Sequence, residues 1–467
     1  MAEASSTTAR VTASTLSNNA ATNFGGGIYG IGSTTLTDST LADNSAGGGI
    51  ISGGTLTLAE STLTGNAAPT GGGIDNTANS TTAVVLVNTI VAGNFSGAAP
   101  PATASDVSGT VAAANSANNL IGTGGLTNGS NGNLVGVANP GLGTLGDYGG
   151  PTQTIPPLPG SPAIDSGDNA LNNQATDQRG VARIINGTID IGAFESRGFI
   201  VTAGDGSTPQ SATVNSPFAN PLAVNVVSIF GEPVAGGVVS FRVIPINGAS
   251  ATLNAASATV DANGRAAVTA SANNVAGNEL VIASAIGGNT TIFFNLTNLA
   301  AVITGVSVGW GTVGTASLVT VADGLRLLPA GRSTDLPWLA IQRITPTLSG
   351  PGTLTAADVS VAGLVGVNYG PVTVSGSGST YTITLAQPID LADRVTLTAA
   401  NAAVATFTRR LDVLPGVVNA QDVALERDAV PADIPNVIDD IDGNGAVNLD
   451  DYNLVRRKVN TKLPALA

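Results

Sequence analysis

Short runs of alternating apolar and polar residues, separated by glycine clusters, dominate the first hundred residues. Leu56-Thr57-Leu58 and Val84-Val85-Leu86 are examples. They are too short for helices and suit strands bounded by glycine. Four segments around them align: Ser14-Thr15-Leu16-Ser17-Asn18-Asn19, Ser39-Thr40-Leu41-Ala42-Asp43-Asn44, Ser61-Thr62-Leu63-Thr64-Gly65-Asn66 and Thr89-Ile90-Val91-Ala92-Gly93-Asn94. Their terminal asparagines are 25, 22 and 28 residues apart, and Gly25-Gly26-Gly27-Ile28, Gly47-Gly48-Gly49-Ile50 and Gly71-Gly72-Gly73-Ile74 fall between them. Such a period marks stacked units, each unable to bury its apolar face alone.

The pattern predicts a mainly β chain that opens with a right-handed parallel β-helix. Inward columns of Leu, Val and Ile form its core, and the leucine density of a horseshoe repeat is missing. Asparagine at one place per coil suits a bend in left-handed conformation. The glycine triplets suit corners that need positive φ or close backbone approach. Asn119-Leu120-Ile121-Gly122 and Asn133-Leu134-Val135-Gly136 read as two further rungs.

Further along, the rhythm changes twice. Over 199–300, Leu222-Ala223-Val224-Asn225-Val226 and Val238-Val239-Ser240-Phe241-Arg242-Val243 alternate around a turn at Gly231-Glu232-Pro233-Val234. This predicts a β-sandwich. A second all-β unit over 301–410 is expected from Val319-Thr320-Val321, Tyr381-Thr382-Ile383-Thr384-Leu385 and Val395-Thr396-Leu397-Thr398. Trp310, Trp338 and Tyr369 there suggest either a sugar platform or ordinary core packing.

Composition narrows the chemistry. The 467 residues include 60 glycines, 43% hydrophobic residues and only 10% charged residues, with a net charge of −14. Cysteine and histidine are absent, which excludes disulfides, thiol nucleophiles and imidazole bases. Lysine occurs only at Lys458 and Lys462, so the β domains carry no Lys–Asn isopeptide crosslink. Residues 1–198 hold 12 acids and 4 bases, and residues 411–467 hold 10 acids and 5 bases. No basic stripe favours nucleic acid. No apolar run is long enough to span a membrane, and no signal sequence opens the chain. Met1-Ala2-Glu3-Ala4 runs almost directly into the first coil, leaving little room for a cap, so further sequence is expected upstream in a secreted precursor.

One motif carries definite chemistry. Asp440, Asp442, Asn444, Asn448 and Asp451 place side-chain oxygens at positions 1, 3, 5, 9 and 12 of a loop. Gly445 makes its sharp turn and Ala446 offers a carbonyl, which is the spacing that wraps a hard Ca²⁺ ion. Tyr452 to Arg457 then read as a helix, giving a small EF-hand-like module. Aspartate at the last position resembles dockerin modules, which pair two such loops and bind cohesin-like protein partners. An echo aligns Val418, Asn419, Asp422, Leu425 and Arg427 with Val447, Asn448, Asp451, Leu454 and Arg456. Its loop has Leu411, Val413 and Pro415 at the first three ligand positions, so only one calcium site is expected.

Two more resemblances bear on organisation. Asn139-Pro140-Gly141-Leu142, Asp147-Tyr148-Gly149-Gly150-Pro151-Thr152, Leu158-Pro159-Gly160-Ser161-Pro162-Ala163-Ile164-Asp165, Asp177-Gln178-Arg179-Gly180 and Asp190-Ile191-Gly192-Ala193-Phe194-Glu195 resemble the closing module of choice-of-anchor Q type secreted bacterial β-helix proteins. That resemblance implies surface attachment. Residues 199–300 resemble the immunoglobulin-like stalk repeats of invasin and intimin adhesins. Four domains follow: 1–198 (β-helix), 199–300 and 301–410 (Ig-like sandwiches), and 411–467 (dockerin-like).

Asp165, Asp177, Arg179, Arg183, Asp190 and Glu195 form a charged cluster. It reads either as a carbohydrate or metal site or, preferably, as ion pairs in a cap over the last open rung. The expected function is a non-catalytic, secreted or cell-surface structural or adhesive rod. A cohesin-like protein, a surface glycan or head-to-tail self-association is its expected partner. The alternative is a polysaccharide lyase or glycosidase, for which Asp38 and Glu60 on neighbouring coils are the candidate carboxylates. Thr35-Leu36-Thr37, Thr55-Leu56-Thr57 and Thr62-Leu63-Thr64 prompt an ice-binding reading, which their uneven spacing opposes.

Overall fold

A computed structural model describes residues 8–21, 25–77, 84–97, 103–310, 325–328, 336–337, 341–363, 368–389 and 393–414. The chain is a β-solenoid followed by two β-sandwiches. In the solenoid, strands from successive coils pair in parallel into stacked sheets. One sheet aligns Thr8–Thr12, Ser33–Thr37, Leu56–Ala59 and Val84–Val87. A second runs through Thr15–Ser17, Thr40–Ala42, Thr62–Thr64, Ile90–Val91, Leu120–Ile121 and Leu134–Val135, so the two later rungs join the stack. A third contains Ile28–Gly30, Ile50–Ser52, Ile74–Asn76 and Val107–Gly109.

Strand alternation sends every second side chain inward. The columns Val11–Leu36–Leu58–Leu86, Leu16–Leu41–Leu63–Val91–Ile121 and Ile28–Ile50–Ile74–Val107 meet as one apolar core.

The asparagines do something other than bend the chain. Left-handed residues are their predecessors Asn18, Asp43, Gly65 and Gly93. Asn19, Asn44, Asn66 and Asn94 instead form a ladder, each donating its backbone and side-chain N–H to the side-chain oxygen of the next coil. Asp106 ends the ladder, its Oδ1 accepting from Asn94 N and Nδ2 at 2.8 and 2.9 Å. A carboxylate can only accept, so it suits the terminal rung.

The glycine triplets likewise serve close approach more than positive φ. A Cβ on Gly49 would stand 2.7 Å from Gly73 O, and one on Gly27 would stand 2.6 Å from Gly49 O.

Residues 139–198 do not close the end of the solenoid. They lie along its flank, touching coil after coil: Thr152 at Ala13, Gln178 at Thr15 and Thr40, Ala193 at Thr62, Asp168 at Asn88, and Ser166 at Asn118. The reason is the outward face of the second sheet. There the column Thr15, Thr40, Thr62, Ile90, Leu120 turns apolar, and Ile90 and Leu120 pack with Ala163 and Ile191 of the flank segment in a separate small core. This face, Thr62 included, is covered and presents no threonine array to solvent.

In the first sandwich, the sheet Ile200–Ala203, Leu222–Val227, Arg265–Val268 packs on a five-stranded sheet containing Val238–Ile244, Gly277–Ser284 and Ile292–Leu299. Ile164 of the flank segment inserts into this sandwich core. The second sandwich holds Ile303–Trp310, Ile341–Leu348 and Thr380–Ile389 in one sheet and Val359–Gly363, Asp393–Ala399 and Phe407–Leu414 in the other. Tyr369 is fully buried in its core, so it is no surface platform. Trp338, the side chain of Trp310 and the expected strand at Val319-Thr320-Val321 lie outside the described residues. Leu411 and Val413, aligned above with loop positions, are strand residues paired with Val395 and Asp393.

Candidate functional site: a buried charged clasp at the solenoid flank

The corner between the first two solenoid sheets is left-handed in every coil, at Ala13, Asp38, Glu60, Asn88 and Asn118. Asp and Asn tolerate this conformation better than most side chains. Their side chains meet the flank segment. Asn88 clamps Asp168, accepting from its N–H at 2.9 Å and donating to its carbonyl at 3.2 Å. Asp38 Oδ1 lies 3.2 Å from Arg183 Nη2, which also donates to the carbonyls of Gly192 and Glu60.

Around Arg183 the flank segment folds on its own carboxylates. Asp190 accepts from the backbone N–H of Asp165 and Ser196, and Glu195 accepts from those of Ile185 and Asp190. Asp177 grips Arg179 through Nε and Nη2 at 2.9 and 2.7 Å and also accepts from the Glu195 N–H. The Arg179 guanidinium carbon sits 3.3 Å above the Phe194 ring, a cation–π contact. Gln178 accepts from the Thr40 hydroxyl and donates to Thr15 and Thr152.

The sandwich enters the same network through Glu232. Its carboxylate accepts from Ser196 Oγ, Arg197 N and Arg197 Nε, and lies 3.6 Å from Arg179 Nη1. Backbone bonds from Val238 N to Pro159 O and from Gly160 N to Ile286 O reinforce this junction.

The clasp is rich in acid. Arg183 faces Asp38, Glu60 and Glu195, with Asp190 close behind, and all are buried. Burial pushes Asp38 up to about 7 despite the opposing field of Arg183. Desolvation likewise raises Glu60, Asp190 and Glu195, the last further through repulsion by Asp190. Both Glu60 carboxylate oxygens lack a hydrogen-bond partner.

A raised carboxyl binds more protons in the folded than in the unfolded chain between its two pKa values. Stability is therefore greatest below about pH 4 as far as these groups decide it, and falls as pH climbs toward 7, where Asp38 titrates. Buried, unpartnered Glu279 of the first sandwich, pushed up to about 7 by desolvation, acts in the same direction. Urea midpoints should thus fall from pH 5 to pH 8, and Glu60→Gln should flatten the decline and stabilise at pH 8. A midpoint that rises over that interval rejects this account.

Of the charged residues singled out from sequence, Asp177, Arg179, Arg183, Asp190 and Glu195 come together, whereas Asp165 stays exposed and contributes its backbone. Asp38 and Glu60 do lie on adjacent coils, but under the flank segment against Arg183 rather than in an open groove. Sequence reasoning missed Gln178, which stood inside a quoted motif, and Glu232, read only as part of a turn. The expected calcium loop of Asp440, Asp442, Asn444, Ala446, Asn448 and Asp451 lies outside the described residues. Among the described residues no cluster of three or more acidic side chains is placed to hold a metal ion, and no helix is long and apolar enough to cross a membrane.

Fold and site together define a mainly β, multidomain protein built on a solenoid. No protein-family profile matches the chain, and no curated protein does. Solved structures that match part of the chain include the C-terminal fragment of intimin in complex with the intimin-binding domain of its translocated receptor. It is 16% identical over 50% of this chain and 70% of that one, with a TM-score of 0.19. The Yersinia pseudotuberculosis adhesin InvE is 15% identical over 48% of this chain and 60% of its own, with a TM-score of 0.22. A multidomain titin fragment is 11% identical over 46% of this chain and 65% of its own, also at 0.22. Likeness at this level bears on neither activity nor partner.

Proposed function

We propose that the chain is a non-catalytic extracellular or cell-surface protein, structural or adhesive, whose solenoid and sandwiches act as a stiff rod. The carrying observation is the solenoid–sandwich junction. Glu232 is buried there among Ser196, Arg197 and Arg179, and Ile164 enters the sandwich core. The two sandwiches are also joined, through Val214 in the second core and the bond from Ala276 N to Ala402 O. Inter-domain motion is the default where interfaces are small and polar. Cementing both joints with buried groups suppresses it, as a stalk requires. The choice-of-anchor Q and invasin-like motifs support surface attachment.

The spacing of Asp440, Asp442, Asn444, Ala446, Asn448 and Asp451 supports a calcium-dependent docking module with a cohesin-like partner. A lone loop should bind Ca²⁺ at roughly 10⁻⁴ to 10⁻³ M, the range of extracellular modules. Asp440→Ala with Asp442→Ala should abolish calcium binding in titration calorimetry. Unchanged binding would exclude this loop. Head-to-tail stacking of the solenoid into filaments belongs to the same proposal, since a heterologous contact that does not close propagates.

Spin-label distances between the solenoid and the first sandwich test the rod. A single narrow distribution is expected, broadened by Glu232→Ala. Release of reducing ends from polysaccharide by the wild-type chain, lost in Asp38→Asn, would instead establish the glycosidase or lyase reading.

A further inference from the structure

Beside the Glu232 joint, two clefts open between the flank segment and the first sandwich. One, of about 460 Å³, is lined by Asp147, Tyr148, Arg179, Arg197 and Phe230, among others. The other, of about 360 Å³, shares Arg197 and Phe230 and adds Asp165. These volumes fall within the range of small-ligand sites.

The wall of the larger cleft combines two arginines with two aromatic rings. Arg179 is buried, yet its Nη1 has no hydrogen-bond partner, the nearest acidic oxygen being Glu232 Oε1 at 3.6 Å. That nitrogen is itself closed to solvent, so Arg179 serves the cleft as part of its wall. Phe230 is 45% exposed at the mouth and carries the Arg197 guanidinium 4.4 Å from its ring centre. Tyr148, braced edge-on by Phe194, supplies a second ring.

The charges select among ligands. Arg179 is already paired with Asp177, Arg197 is paired with Glu232, and exposed Asp147 adds a further carboxylate. Positive charge is therefore compensated locally, on a chain of net charge −14. An anionic ligand gains nothing here. A hydroxyl-rich neutral one does, because each hydroxyl both donates and accepts, matching the interleaved guanidinium and carboxylate groups while apolar C–H faces cover the rings.

We propose that this cleft, walled by Asp147, Tyr148, Arg179, Arg197 and Phe230, binds a neutral sugar unit of a polysaccharide. It rests on the surface-protein reading above and supplies that reading with a ligand class. The test is affinity electrophoresis of the full chain through gels containing dextran, mannan, xylan, galactan or mixed-linkage glucan, with polygalacturonate and alginate as acidic counterparts. At least one neutral polymer should retard the wild type. Phe230→Ala and Asp147→Ala, both changes of exposed side chains checked for folding by their melting curves, should each weaken retardation about tenfold, equivalent to about 1.4 kcal/mol.

Retardation by acidic polymers alone overturns the proposal, as does none at all, or retardation that both variants retain. Failure here leaves the rod intact, since the spin-label distances do not depend on the cleft. Release of reducing ends would overturn the non-catalytic reading while leaving sugar binding standing.

Discussion

Arg183→Met should weaken the attachment of the flank segment by about 3–5 kcal/mol at pH 8, the usual cost of removing one partner from a buried ion pair. The side chain reaches Asp38 on one coil, the Glu60 carbonyl on the next, and Gly192 within the flank segment. Methionine retains most of the volume, so the loss isolates the charge. Without the guanidinium, Asp38, Glu60 and Glu195 can stay buried only by holding protons, which alkaline solvent removes.

The effect should therefore shrink at pH 5, where the raised Asp38 and Glu195 carboxyls are already neutral. Hydrogen exchange of the Ala193 amide, which donates to Thr62 Oγ1 across the junction, reads the attachment directly. A loss equal at both pH values, or below about 1 kcal/mol, would show that Arg183 does not hold the clasp by charge.

Asn66→Ala should cost about 3–5 kcal/mol, summed over two or three buried groups left unpaired at about 1–3 kcal/mol each. Asn66 Nδ2 donates to Asn94 Oδ1 at 2.9 Å and Leu41 O at 3.0 Å, while its Oδ1 accepts from Asn44 N at 3.1 Å and Asn44 Nδ2 at 2.8 Å. Alanine removes all four of these bonds; Asn94 Oδ1 keeps Asn66 N and Asn44 Nδ2 keeps Leu16 O, so the loss falls chiefly on Asn44 N and Leu41 O. Asn66→Asp restores the acceptor but turns a carboxylate toward Asn94 Oδ1 and Leu41 O, so it should fail to rescue at neutral pH. Asp106 is tolerated in the same column only because the next coil supplies a hydroxyl donor, Thr123, to its Oδ2 at 3.0 Å. Thermal unfolding of the three proteins at pH 7 checks the order, and rescue by aspartate would sink the ladder argument.

Much of the solenoid was legible in the chain, and the reason is local. A period-two run bounded by glycine permits one face inward, and repetition at a near-constant interval brings equivalent residues into register. Leu16, Leu41, Leu63 and Val91 were thereby aligned by sequence alone, and they do form one column. The two later rungs at Leu120 and Leu134 followed by the same rule. Alternation marked the sandwich strands at Leu222, Val238 and Tyr381 equally well.

Position along the stack was a different matter. Motif spacing assigned Asp177, Arg179, Arg183 and Glu195 to one module, yet nothing in their spacing distinguishes covering an end from covering a side. That choice depended on the outward residues of the second sheet, where Ile90 and Leu120 needed burial and Thr15, Thr40 and Thr62 needed hydrogen-bond partners. The meeting of Asp38 and Glu60 with Arg183, which lies 123 positions beyond Glu60, exists only once the coils have stacked. Sequence fixes which faces are apolar because alternation is a property of neighbours. Only the folded chain decides what covers those faces, and hence which charges must share a dry interior, because that is a property of residues remote in sequence.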